Sequence, residues 1–150
     1  MLSCCFPHDL LSAGTGPATI AYVQGNSATP QSPEKTPKVK FTAVQVAGDL
    51  NIVVVGWDDS TTVVNSIKDS MGNVYALAVG PTVESGFASQ SIYYANNIQA
   101  AAAGSNTVTV TFASAVPSPD IRILEYSGAD PANPVDVTAA SFGNSAMPPI

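Results

Sequence analysis

Leu50-Asn51-Ile52-Val53-Val54-Val55-Gly56-Trp57 is the stretch whose reading decides the fold. Four consecutive β-branched residues, Ile52 to Val55, stiffen the chain in extended form. The apolar run is too short for a buried helix, so it predicts a central strand covered on both faces. Gly48-Asp49 precedes it and supplies hairpin chemistry. On the far side of that turn, Val39 to Val44 alternates apolar and polar, as a strand with one wet face does.

The same reading extends outward. Thr61–Ile67 and Val74–Val79 frame Asp69-Ser70-Met71-Gly72-Asn73, a turn in which Gly72 tolerates positive φ and Asp69 and Asn73 bond nearby backbone. Gly80–Ser89 reads as a loop and Gln90–Ala95 as a strand. Asn96–Ser105, with Ala100 to Ala103, is too short and small-sided for a stable helix. Asn106–Phe112 alternates cleanly, with Val108, Val110 and Phe112 on one face and threonines on the other. Asp120–Tyr126 and Val135–Ala140 close the series. Upstream, Ala18–Val23 reads as a first strand, followed by a loop to Lys38 holding Pro30, Pro33 and Pro37. About nine short strands with no βα alternation predict an all-β fold, an antiparallel two-sheet β-sandwich. The expected division is an irregular N-terminal tail over 1–17 and a sandwich over 18–150.

Composition sets the habitat. Charged residues make up 11% of the 150 residues, against about a quarter in ordinary globular proteins. Solubility then rests on Ser, Thr, Asn and Gln, a palette typical of extracellular or cell-surface β-proteins. The net charge is −6, and Lys35, Lys38, Lys40, Lys68 and Arg122 are the only cations. So few cannot build the basic face that nucleic acid requires, nor a grip on an anionic membrane. No run of apolar residues is long enough to span a bilayer as a helix. Met1-Leu2-Ser3 before Cys4 is too short for an export signal, so the chain is expected to be a piece of a longer exported protein or to have a fortuitous start. Cys4 and Cys5 are adjacent and read as free thiols in the tail.

Several motifs carry a resemblance: Gly48-Asp49-Leu50-Asn51 opening the strand to Trp57; Asp69-Ser70-Met71-Gly72-Asn73-Val74-Tyr75; Ser91-Ile92-Tyr93-Tyr94-Ala95; and Pro119 to Gly128, PDIRILEYSG. Together, Ala47 to Ala140 resembles modules of large secreted bacterial surface proteins. The resemblance implies a jelly-roll or immunoglobulin-like sandwich and a role in surface binding or cell adhesion. It also implies further strands beyond Asn144. Edges left open by their absence imply a homo-oligomer formed through strand edges.

Candidate sites follow from residue chemistry. Asp58, Asp59, Asp69 and Asn73 offer hard oxygen ligands for Ca²⁺, although they match no complete Ca²⁺ loop; solvated turn carboxylates are the alternative. Trp57, Tyr93 and Tyr94 present flat rings to a sugar, beside Arg122, the sole arginine. Tyr75 and Tyr126 belong to the same aromatic set, and core packing competes for each ring. Arg122 and Glu125 fall on opposite faces of one strand. Acid–base work on a glycosidic bond needs two carboxyls about 5–10 Å apart, and Glu125 with Glu84, Asp120 or Asp58 is the candidate set. A serine hydrolase is disfavoured: Ser85-Gly86 forms no nucleophile elbow, and the sole histidine, His8, lies in the tail. The leading expectation is a non-catalytic, extracellular, glycan-directed binding module. The alternatives are a polysaccharide hydrolase and a structural module acting through strand edges.

Overall fold

The computed structural model describes residues 19–142. They contain eight strands and no helix: β1 (Ala21–Ala28), β2 (Lys38–Lys40), β3 (Leu50–Trp57), β4 (Val64–Asp69), β5 (Ala76–Glu84), β6 (Ala88–Ala95), β7 (Thr107–Phe112) and β8 (Asp120–Ser127). The strands form two antiparallel sheets, ordered β1-β8-β3-β6-β5 and β2-β7-β4. The described residues are all-β with two sheets, as the strand pattern predicts.

β3 occupies the centre of the larger sheet, paired with β8 on one side and β6 on the other. Asn51, Val53, Val55 and Trp57 point inward and are buried, whereas Ile52, Val54 and Gly56 face outward and are half-buried. One face is therefore sealed and the other partly covered, a correction to the expectation of two covered faces. The core lies between the sheets. Val53, Val55, Trp57, Ile121 and Ile123 of the larger sheet meet Val39, Val108, Val110 and Phe112 of the smaller, with Phe41 and Val116 beside them. Each such side chain contributes about 1.5–3 kcal/mol by leaving water. Outside the small sheet, Lys38, Lys40 and Lys68 stand opposite Thr107 and Thr109, a wet surface.

Several boundaries differ from the sequence expectation. The first strand begins at Ala21 and runs to Ala28, because β8 offers a partner along that whole length. The strand expected over Val39–Val44 stops at Lys40. Beyond it the Phe41 N–H still donates to the Asn106 carbonyl at 3.0 Å, and the chain then leaves the ladder, keeping an isolated bridge between Gln45 and Ala101. The loop expected over Gly80–Ser89 is mostly strand: β5 continues to Glu84, and the turn closes when the Phe87 N–H donates to the Glu84 carbonyl at 3.0 Å. Val135–Ala140 is not a strand. Ala139 to Ser141 line a hollow together with Val79, Thr82, Gln90 and Ile92 of the larger sheet, and the segment pairs with no strand of it.

Each outer strand carries a feature that discourages further pairing. β1 has a bulge between Tyr22 and Gln24, and β5 has two register shifts around Gly80-Pro81. β2 is three residues long with two lysines, and β4 has an irregularity after Val64 and carries Lys68. These are the devices by which sheet edges avoid one another.

Candidate functional site

At the end of the sandwich where β3 finishes, the larger sheet carries an open depression of about 350 Å³. Its origin is Gly56. This residue faces outward and pairs with Asp120 of β8 on one side and Gln90 of β6 on the other. The missing side chain leaves a dip between two polar neighbours. Asp58, Glu84 and Ser118 complete the wall, and Phe142, 66% exposed, stands at the rim. Asp58 is fixed by its N–H, which donates to the Pro117 carbonyl at 3.2 Å.

Arg122 lies two positions along β8 from Asp120, on the same outer face. Its Nη2 meets the Asp120 Oδ2 at 2.9 Å, and Nε donates to Oδ1 at 3.1 Å. Both side chains are solvated, 61% and 40% exposed, so the pair adds little stability. Its effect is to hold the Asp120 carboxylate at the edge of the dip. Asp58 and Glu84 form no ion pair among the described residues.

The two halves of the Ca²⁺ set lie far apart. Asp58 and Asp59 follow the end of β3, whereas Asp69 connects through Tyr75 to Asn51 near its start. The strand between them spans roughly 20 Å at about 3.3 Å per residue. Each carboxylate serves its own turn. Asp59 accepts from the Thr62 hydroxyl, from the Thr61 N–H at 2.6 Å and from the Thr61 hydroxyl, and these bonds lower its pKa to about 2. Asp69 accepts from the N–H groups of Met71 and Asn73 at 3.1 and 3.0 Å and from the Asn73 amide at 2.7 Å. Among the described residues no three His, Cys, Asp or Glu side chains converge as metal ligands. Cys4, Cys5 and His8 lie outside the described residues.

Asp69 also belongs to a closed ring of hydrogen bonds that no sequence motif announces. The Gln45 amide donates to Asn51 Oδ1 at 2.9 Å, Asn51 to the Tyr75 hydroxyl at 3.3 Å, and Tyr75 to Asp69 Oδ2 at 3.0 Å. Asn106 closes it, donating to Asp69 Oδ2 at 3.1 Å and Gln45 Oε1 at 2.7 Å. The ring ties β3 in one sheet to the flanks of β4 and β7 in the other. Burial, with the nearby Asp69 charge, holds the Tyr75 phenol far above its ordinary range.

The aromatic candidates divide. Trp57 is 2% exposed and donates from Nε1 to the Thr62 carbonyl at 3.2 Å. The residue borders the depression, but its ring packs in the core and offers almost no exposed face. Tyr93 faces inward and packs on the same core, and burial raises its pKa. Tyr94 and Arg122 do share the outer face, separated by β3. The register also joins two rings that spacing alone left apart: Tyr22 and Tyr126 meet edge to face, 5.7 Å between centroids.

The carboxylate candidates divide likewise. Asp120, Glu84 and Asp58 line the depression, but Glu125 does not. Its side chain points inward from β8 and is fully buried. Sequence reasoning missed Gly56, Gln90, Ser118 and Phe142, because their convergence depends on which strands are neighbours. A glycine inside an otherwise β-branched strand was the available signal. No family model matches the chain, and no curated protein and no solved structure matches it.

Proposed function

We propose that the chain is a non-catalytic, extracellular binding module that takes a glycan in the depression over Gly56. The observation that carries this reading is the lining. Carboxylates of Asp58, Glu84 and Asp120 and the amide of Gln90 surround an open dip with an aromatic ring at its rim. Hydroxyl-rich ligands are bound by such planar acceptors and amides, with an aromatic face against the sugar's C–H groups. The low-charge composition supports the extracellular setting. The motif resemblance supports the same reading, with a jelly-roll or immunoglobulin-like lineage and a bacterial surface-adhesion role.

Hydrolysis is less well supported. Cleaving a glycosidic bond calls for a carboxyl kept protonated near neutral pH beside an ionised one. Glu125 has the environment for the first role, but it is sealed in the interior, away from the depression. An edge-paired oligomer is disfavoured by the bulges and lysines on the outer strands.

The test is a glycan array, followed by calorimetry on any sugar bound, with wild type, Asp120→Asn and Glu84→Gln. Binding weakened ten-fold or more in folded variants is expected. Binding unchanged in both variants, or no sugar bound at all, overturns the proposal. In the latter case a stable dimer by light scattering points to assembly. Release of reducing ends revives the enzyme.

A further inference from the structure

Glu125 occupies an unusual position. It is fully buried on the inward face of β8, in a chain with few cations. Its partners are neutral amides. The Gln24 amide nitrogen donates to Oε2 at 2.6 Å, and the Val46 N–H reaches Oε1 at 3.4 Å. Gln24 holds more than Glu125. Its Oε1 accepts from the Ala43 N–H at 2.9 Å, and its nitrogen also lies 3.3 Å from the Ala43 and Val44 carbonyls. Gln24 sits at the β1 bulge, opposite Glu125 in register. One buried carboxyl thus lies under the joint between edge strand β1 and the segment from Ala43 to Val46.

Among the described residues, the elements packed around it supply no positive charge. β1 presents Gln24, the segment after β2 presents Gln45 and the Val46 N–H, and β3 presents Asn51 in register. β2 turns Val39 inward and keeps Lys38 and Lys40 exposed. Among the described residues the one charged group facing Glu125 is Asp49, 8% exposed, which carries the same sign. A carboxylate here has lost water without gaining a cation, and it has a like charge beside it.

We propose that Glu125 is an acid-operated latch: by taking up one proton from solvent as the pH falls, it strengthens the attachment of β1 and the 43–46 segment to the sandwich. Burial, the largest cause, and Asp49 both raise its pKa above 4.5, against the opposing bonds from Gln24, Gln45 and Val46. The sign follows by linkage. A carboxyl whose folded value lies above its unfolded value stabilises the fold at low pH, and this stabilisation is lost as the pH rises through the folded value. Within that window the folding equilibrium constant changes by about ten-fold per pH unit. The proposal does not depend on the glycan reading.

The experiment is urea denaturation of the chain between pH 8 and 5, with amide hydrogen exchange at both limits. Wild type is expected to grow more stable as the pH falls. The Ala43 and Val46 amides are expected to gain protection after correction for the intrinsic exchange rate. Glu125→Gln, which mimics the protonated acid, is expected to lose the slope and to match or exceed wild type at pH 8. A slope that persists in Glu125→Gln overturns the latch. A carbon-13 titration of Glu125 in wild type decides the matter independently of that variant's folding. A midpoint above 4.5 supports the proposal, and one at or below 4.5 overturns it.

Discussion

Trp57 and Phe112 meet edge to face across the two sheets, 5.3 Å between ring centroids and 62° between planes. One ring ends β3 and the other ends β7, so this contact pins the sandwich at the end that carries the depression. Phe112→Ala is expected to cost about 3–5 kcal/mol, read as a fall in the urea midpoint with loss of near-ultraviolet dichroism from Trp57. A loss below about 1 kcal/mol would show that the contact does not hold the sheets together.

Gly56 separates stability from binding. A methyl group there would meet nothing nearer than the Asp120 carbonyl at 3.9 Å. Gly56→Ala is therefore expected to stabilise the strand by roughly 0.5–1 kcal/mol. The same methyl raises the floor of the depression, so affinity for a bound sugar is expected to fall several-fold. Unchanged affinity would place the ligand elsewhere.

The ring from Gln45 to Asn106 predicts graded losses. Asn106→Ala removes the donor to both Gln45 and Asp69 and is expected to cost about 2–3 kcal/mol. Tyr75→Phe, which removes one hydroxyl, is expected to cost about 1 kcal/mol. A double-mutant cycle between them should show coupling of at least 0.5 kcal/mol or so; additivity would dissolve the ring as a unit.

Tyr75 also fixes the alkaline limit. Its folded pKa is raised, so its contribution is complete below the ordinary tyrosine value and is lost as the pH climbs above it. Ultraviolet titration is expected to show one tyrosine that ionises only as the protein unfolds. In Tyr75→Phe that late phase disappears.

Gly80 is constrained in the opposite sense to Gly56. Its φ is +121°, and a Cβ there would stand 2.8 Å from the Gln90 carbonyl. Gly80→Ala is expected to lose about 1–3 kcal/mol from backbone conformation, with a further loss as β5 shifts from β6. A variant as stable as wild type would contradict this account of the register shift in β5.

What the sequence made legible was periodic. Leu50–Trp57 falls where it was expected, and Val108, Val110 and Phe112 are core residues as their alternation implies. Loop and edge readings were weaker. Gly80 and Pro81 punctuate a strand that continues through a bulge, and Val135–Ala140 has a strand composition but joins no sheet. The depression joins residues from β3, β5, β6 and β8, and its members share no local pattern. Likewise, Asp69 read from sequence alone is a turn former and a candidate Ca²⁺ ligand. Its place in the ring needs Asn106, 37 positions away.

The polar ring bears on how the chain avoids misfolding. Along the inward face of β3 the order is Asn51, Val53, Val55, Trp57. A two-residue slip against β8 and β6 keeps the same residues inward, and two adjacent valines scarcely resist it. Asn51 does resist it, because the slip would carry its amide into the dry centre and strand the partners it leaves behind. At about 1–3 kcal/mol for each orphaned group, the slipped pairing is disfavoured. A buried asparagine thus acts as a proofreader of strand alignment, in a stretch whose apolar residues would accept more than one.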